Sequence, residues 1–595
     1  MKYCPKCHHT YTDETLKFCR EDGTLLQANA SAPGESSATL LLPAIRTSDA
    51  PPTQFLQSDT AQAKEVTSPI EATRNSQTSG SPDIHPTSNA EYIISEIKQH
   101  KRGVAVALTA LLVATIGFGS WFFSNRPSSS TGPAPMDSIA VLPFQNKNIE
   151  PDTEYLSDGL AESLIYRLSQ LPNLKVSPTS SVFRYKGKET DPVKVGQELG
   201  VSAVLLGRIT RRGDNLTISV ELVDVRINKL LWGEQYDRKL SDLLATQREI
   251  AGEIVERLKV KVSGADLRGV TKDYTDSNEA YQLYLKGRYH WNKRTKEDIQ
   301  RGIQYYQQAI NQDPNFALAF AGIADSYTVM PTYPYLSPKE AYPRAKAASQ
   351  RALEIDPTLA EAHVALATVL AYHDWNWAGA EREFKRALEL DPDYADAHYR
   401  YGLVYLMPLG RTDEAIAEVK RALALEPLSL IINANLGGAY IYARQFDRAL
   451  EQTRKTQDLE PSFVAGQYWL CEAYAANGMY NEAIALSQKM VQADPTSQRF
   501  FYLLGYAYAK AGRKPEAEVV INKLKDISRG EYVISSLIAR IYAALDKRDE
   551  AFALLEKAFE EREYSLPRLK VDPAFDSLRN DPRFQDLLQR IGLTS

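Results

Sequence analysis

Three spacings of apolar residues follow one another along the chain, and each predicts a different element. Gly103 to Phe123 (GVAVALTALLVATIGFGSWFF) is a run of 21 residues without a charge. As a helix it would span about 30 Å, the thickness of a bilayer core, with Trp121, Phe122 and Phe123 at one end as an aromatic belt. From Ser138 to Ser263 short apolar runs alternate with helical patterns. SIAVLPF (138–144) predicts a buried strand, and Leu156, Leu160, Leu164, Ile165 and Leu168 fall on one face of a helix. Asp191 and Pro192 read as the N-cap and first turn of a second helix. SAVLLGRITRRGDNLTISVELVDV predicts a hairpin turning at Gly213-Asp214-Asn215, and an amphipathic helix through TQREIAGEIVERLKVKV follows it.

Beyond residue 278 the pattern becomes periodic. An acidic residue followed by proline recurs at Asp313-Pro314, Asp356-Pro357, Asp391-Pro392, Glu426-Pro427, Glu460-Pro461 and Asp494-Pro495. Successive prolines are 43, 35, 35, 34 and 34 residues apart, the period of a helix–turn–helix solenoid. The 43 is explained by an inserted loop, MPTYPYLSP (330–338). Six residues past each proline a helix begins a pattern spaced 0, 3, 4, 7: His398, Tyr401, Gly402, Tyr405; Asn433, Leu436, Gly437, Tyr440; Gln467, Leu470, Cys471, Tyr474; Phe501, Leu504, Gly505, Tyr508. The third position is small, as expected where a second helix crosses. That second helix supplies Ala380, Ala415, Ala449, Ala483, Ala517 and Ala551. A final stretch with Phe584, Leu587, Leu588 and Ile591 on one side predicts a helix capping the last apolar face.

The periodic region resembles the tetratricopeptide repeat, with about eight repeats over 278–565 and a capping helix within 566–595. The blocks SIAVLPF, EYLSDGLAESLIYRLSQL, FRYKGK, QELGVSAVLLGRITRRGDNLTISVELVD and LLWGEQYDRKLSDLLATQREIA resemble the TolB-N-terminal-like/FlgO-like domain of bacterial proteins, over 137–265. The opening MKYCPKCHHTYTDETLKFCREDG resembles a short zinc ribbon (1–26), and residues 27–95, rich in Ser, Thr, Ala, Pro and Gln, read as a disordered linker. The expected fold is therefore multidomain: a small zinc ribbon, one transmembrane helix, a mixed α/β domain and an all-α tetratricopeptide solenoid. Positive charge at Lys98, Lys101 and Arg102 ahead of the apolar run, against Arg126 alone behind it, predicts a single-pass inner-membrane protein. Its N-terminus would be cytoplasmic and its repeats periplasmic.

Composition narrows the chemistry. The 595 residues carry a net charge of −5, which gives no electrostatic footprint for nucleic acid. Four cysteines are too few for a disulfide framework, and three of them lie within the first 19 residues. Cys4, Cys7 and Cys19 with Asp22 make a four-ligand zinc set; His8 or His9 competes with Asp22 for the fourth place. A structural zinc is the expected cofactor. Cys471 is expected to be a small buried contact, and His363 and His398 surface residues of first helices. No phosphate-binding loop, nucleophile elbow, zinc-protease or kinase motif occurs, so the expectation is a non-enzymatic scaffold without a small-molecule substrate. Its partners would be proteins or peptides held on the surface of the first helices, by Tyr405, Asn433, Tyr440, Gln467, Tyr474 and Tyr508. The alternative is a one-pass regulatory protein coupling envelope binding to the zinc ribbon.

Overall fold

The computed structural model describes residues 136–147, 153–260, 263–272, 274–527 and 532–594, with three short strands nearer the N-terminus. The chain divides into two compact units, Met1–Ser128 and Ser129–Ser595. In the first, β1 (Lys2–Tyr3) pairs antiparallel with both β2 (Thr10–Tyr11) and β3 (Gln27–Ala28). The apolar run 103–123 and the linker 27–95, apart from β3, lie outside the described residues.

The second unit begins with a mixed sheet, as the alternating pattern predicts. Its strands are β4 (Ser138–Val141), β5 (Gln145–Asn146), β6 (Lys175–Val176), β7 (Ala203–Arg212), β8 (Asn215–Asp224) and β9 (Lys229–Lys239). The order is β6-β4-β7-β8-β9, with β5 also on β7; β4 runs parallel to β6 and β7, and β7-β8-β9 form an antiparallel meander. A strand inside a parallel pair is covered on both faces, which is why every residue of β4 is buried. The β7–β8 turn needs a left-handed residue, and Gly213 supplies it at φ 61°. Helices α1 (Glu154–Ser169), α2 (Thr179–Val182), α3 (Pro192–Leu199), α4 (Leu243–Leu258) and α5 (Gly264–Val270) complete the domain. Asp191 caps α3 by accepting from the Val193 N–H at 2.9 Å, with Pro192 in the first turn.

Eight helix pairs follow: α6 (Asn278–Asn292) and α7 (Lys296–Gln312), α8 (Ala317–Val329) and α9 (Pro338–Ile355), α10 (Ala360–Tyr372) and α11 (Trp377–Leu390), α12 (Ala395–Arg400, continued by a π-type turn through Leu406) and α13 (Thr412–Leu425). Then come α14 (Leu430–Tyr442) and α15 (Phe446–Leu459), α16 (Val464–Ala476) and α17 (Tyr480–Ala493), α18 (Gln498–Lys510) and α19 (Lys514–Ile527), α20 (Ser535–Ala544) and α21 (Arg548–Glu560). The recurring acid-proline step is a turn device. Proline cannot continue a helix and holds the residue before it extended. The acid's side chain then accepts from the N–H two residues on, as Asp313 does from Asn315, Asp356 from Thr358, Asp391 from Asp393, Glu460 from Ser462 and Asp494 from Thr496. Within each pair the helices cross at small residues. A Cβ on Gly402 would lie 2.8 Å from the Ala415 carbonyl oxygen, and one on Gly437 would meet the Thr453 methyl at 2.4 Å. Ala380, Ala415, Ala449, Ala483, Ala517 and Ala551 are all fully buried. The last helix, α22 (Pro582–Arg590), lies on α21, with Arg583 and Arg590 over the rings of Phe552 and Phe559, and buries Phe584 and Leu587 completely.

The expectation of a single-pass membrane protein is corrected. Among the described residues no helix is long and apolar enough to cross a membrane. The described helices are cut by a turn at every half-repeat, and the longest, α9, carries Lys339, Glu340, Arg344, Lys346, Arg351 and Glu354. The cap generates a prediction. Phe584→Ala empties a fully enclosed site, so urea denaturation should show a loss of about 3–5 kcal/mol, with early proteolysis at the C-terminal helix pair; an unchanged midpoint would mean that α22 does not close the solenoid.

Candidate functional site: the inner face of the helix pairs

The first helix of each pair presents a stripe that the second helix does not cover. It lies seven and eleven residues past each proline: Ala321 and Asp325, Val364 and Thr368, Tyr399 and Leu403, Ala434 and Gly438, Tyr468 and Glu472, Tyr502 and Tyr506. From the third pair onward the chain's own C-terminal segment packs against the helix pairs. Arg568 donates to the Tyr372 hydroxyl at 2.6 Å and stacks over Tyr442 and Tyr564. Lys570 donates to the Leu409 carbonyl at 3.3 Å, and Arg444 pairs with Asp576 at 2.6 Å. The Trp377 indole donates to the Ile591 carbonyl at 2.9 Å. Leu566, Leu569, Phe575 and Leu578 are buried beneath these contacts. At the centre Arg540 is held between Glu472 (3.0 Å) and Asp572 (3.2 Å), and the Tyr502 hydroxyl donates to Glu472 at 2.6 Å. All three charged groups are buried, so each carboxylate depends on the one guanidinium.

Toward the N-terminal pairs the cover is different. Helix α1 of the sheet domain stands against α6: Arg288 donates to Glu162 at 2.8 Å, and the Tyr281 hydroxyl to Ser163 at 2.7 Å. Between α1 and the first helices remains a cleft of about 170 Å³. Its walls are aromatic, from Tyr166, Tyr274, Tyr281, Tyr284 and Tyr394. Its floor is charged. Arg400 bonds Asp325 at 2.6 Å and Asp396 at 2.8 Å. Arg167, 1 % exposed, donates from one terminal nitrogen to the carbonyls of Val270 and Lys272, while its buried Nε–H has no hydrogen-bond partner. Glu361 also lines the cleft; burial raises its carboxyl above the usual range, offset in part by a hydrogen bond from Tyr166.

The residues singled out by sequence fall elsewhere. Asn433 is fully buried, donating to the Pro427 carbonyl at 3.0 Å and accepting from Gln452 at 2.9 Å. Gln467 donates to the Pro461 carbonyl at 2.9 Å. His363 and His398 occupy the same repeat position and are buried, which corrects their expected place on the surface. Each sets one ring nitrogen on its proline carbonyl (Pro357 at 3.1 Å, Pro392 at 2.9 Å) and the other on a second-helix carboxylate (Glu383 at 2.8 Å, Glu418 at 2.5 Å). Position six therefore closes the turn and ties it to the second helix. The tyrosines of position thirteen face the preceding pair: Tyr405 bonds Glu381, Tyr440 lies under Lys420, Tyr474 under Arg454, and Tyr508 accepts from Gln488 at 3.0 Å. Cys471 is buried with Sγ 3.9 Å from the Ala483 carbonyl, and burial pushes its thiol up. The cleft residues themselves went unnoticed in the sequence; the seven-and-eleven spacing marks only Ala321, Asp325 and Val364 among them. Cys4, Cys7, Cys19 and Asp22, with His8 and His9, lie outside the described residues, and among the described residues no cluster of histidine, cysteine or carboxylates is placed to hold a metal.

Residues 375–429, 434–498 and 474–541 match family models described as tetratricopeptide repeats. The chain carries tetratricopeptide repeats. Among solved structures, the repeat region is similar to pilF of Pseudomonas aeruginosa (23 % identity, 35 % of this chain and 93 % of that one, TM-score 0.27). It is also similar to PilW, described as a widely conserved type IV pilus biogenesis factor (21 %, 38 % and 97 %, TM-score 0.29). Residues 135–253 match the second domain of HilA/YgeH-like transcriptional regulators, where the sequence had suggested a TolB-N-terminal-like/FlgO-like domain. A curated Rhizobium meliloti (strain 1021) protein named "Putative adenylate cyclase 3" is 36 % identical over 191 residues, 31 % of this chain. The chain spans only 32 % of that relative's length. Its name overturns the expectation of a non-enzymatic protein. The physical reason is plain: a catalytic constellation is assembled in space, and short linear motifs sample only some of them.

The buried charge cluster can be tested directly. Arg540→Met leaves Glu472 and Asp572 enclosed without their cation, and should cost about 3–5 kcal/mol by denaturant titration; a loss below about 1 kcal/mol would mean that water reaches both carboxylates.

Proposed function

We propose that this protein is a protein–protein interaction scaffold whose docking site is the open half of the repeat inner face. The observation that carries the reading is the unequal filling of that face. The C-terminal segment packs against the pairs from the third onward, with buried Leu566, Leu569 and Phe575, whereas a tyrosine-walled cleft remains between α1 and the first helices of the first four. An extended peptide laid along the first helices would set a side chain into the cleft. Replacing Tyr394, on the cleft wall, or Tyr506, under the C-terminal segment, by the photo-crosslinker p-benzoylphenylalanine separates the two halves. With pools of fluorescent nonapeptides, adducts are expected at position 394 and not at 506; equal labelling, or labelling at 506 alone, would sink the proposal.

A regulatory role is the second reading, favoured by the match of residues 135–253 to a transcriptional regulator's second domain. The same scaffold would then present a partner to a control element.

The N-terminal knuckle is proposed to hold one structural zinc through Cys4, Cys7, Cys19 and Asp22. The pairing of Lys2–Tyr3 with Thr10–Tyr11 supports this, since it joins the two strands that flank Cys4-x-x-Cys7 in the sequence. Thiolates at a C-x-x-C spacing suit a tetrahedral metal. Atomic emission on the purified chain should give about one zinc per molecule, and Cys4→Ser together with Cys7→Ser should remove it. Retention of full metal content by the double variant would rule out this ligand set.

A further inference from the structure

The composition of the cleft specifies the occupant. Four carboxyl groups line it, from Glu162, Asp325, Glu361 and Asp396, against two guanidiniums, from Arg167 and Arg288. The protein's own cations satisfy three of the four: Arg288 bonds Glu162, and Arg400, behind the wall, bonds both Asp325 and Asp396. Among the described residues Glu361 makes no ion pair: the Tyr166 hydroxyl and its own backbone N–H bond it, and Arg288, already on Glu162, acts on it only at longer range. Five tyrosines surround it, and the negative face of an aromatic ring attracts a cation. Arg167, which also lines the cleft, keeps a buried Nε–H without a partner. A free anion would answer Arg167 but would meet the uncompensated carboxyl. A free cation would answer Glu361 and leave the N–H orphaned. A basic residue within a peptide answers both, because it carries a cation at the tip of its side chain and a carbonyl on its backbone. The cleft volume, about 170 Å³, suits one long side chain and cannot admit a helix.

Resting on the peptide-docking reading above, we propose that the cleft is a recognition pocket for an arginine or lysine residue of an extended partner segment. Its cation lies against Glu361 within the tyrosine walls, and its carbonyl accepts from Arg167 Nε. The opposite alternative, an acidic partner segment, is disfavoured because it would place like charges beside a carboxyl that makes no ion pair.

The test uses the full chain and fluorescence anisotropy with acetylated nonapeptide pools whose central residue is fixed as Arg, Lys, Leu or Glu. The Arg and Lys pools are expected to bind about tenfold more tightly than the Leu pool, as one desolvated ion pair would give. Glu361→Gln should erase that preference. A readout that needs no variant is citrulline for arginine and norleucine for lysine, each of which should lose about the same tenfold on the unaltered protein. Preference for the Glu pool, equal binding of all pools, or undiminished binding of the citrulline peptides would overturn the assignment of a basic residue. Those outcomes leave peptide docking intact if Tyr394→Ala weakens every pool alike. If no pool binds, or Tyr394→Ala changes nothing, the docking reading falls and the assignment falls with it.

Discussion

The crossing of two helices at a small residue is the constraint from which the rest of the solenoid follows. Where Gly402 or Gly437 meets the second helix, there is no room for even one methyl group without displacing a neighbour. That closeness fixes the angle of each pair. It turns one side of every first helix toward its own second helix and another toward the preceding pair. What remains is a stripe at seven and eleven residues past the proline, facing inward. A solenoid has no closed core, so each unit leaves such a face for something else to cover. In this chain the cover differs along its length: the C-terminal segment lies over the pairs from the third onward, and α1 lies over part of the first ones.

The C-terminal segment shows what full cover requires. It combines buried apolar side chains with an enclosed triad, Glu472–Arg540–Asp572, and with Arg568 among Tyr372, Tyr442 and Tyr564. Burying a charge is costly unless it is paired, so these groups specify one seating of the segment against many that would strand a charge. At the other end α1 of the sheet domain covers only part of the face. Its Glu162 is paired with Arg288, yet Glu361 and one N–H of Arg167 keep unused capacity.

Much of this was legible in the sequence, and the boundary of what was legible is physical. The period, the acid-proline turns, the small crossing residues and the hairpin at Gly213 are local, and local spacing reports them directly. The role of position six was misjudged because a histidine, an asparagine and a glutamine share one geometric task, reaching back to a proline carbonyl, that their different chemistry conceals. The tyrosines of position thirteen were assigned to the inner face because a repeated aromatic suggests binding; they serve the seam between repeats instead. The cleft could not be read from spacing alone. Glu162, Arg288, Asp325, Glu361 and Asp396 belong to five separate helices, and only the docking of α1 on the solenoid brings them together.

The same docking explains why the sheet domain and the repeats belong to one unit. If α1 were absent, Arg288 would lose its carboxylate and the cleft would lose Tyr166, the hydroxyl that bonds Glu361. The first four repeats would then present an open, tyrosine-rich trough with no defined depth. With α1 in place the trough becomes a bounded pocket whose charges are compensated at every carboxyl but one. Selectivity in such a site comes from that single deficit: an occupant of the wrong charge leaves a buried group unsatisfied, which costs more than a missing favourable contact. On the proposed reading, the sheet domain shapes recognition by deciding which of the solenoid's charges are already paired.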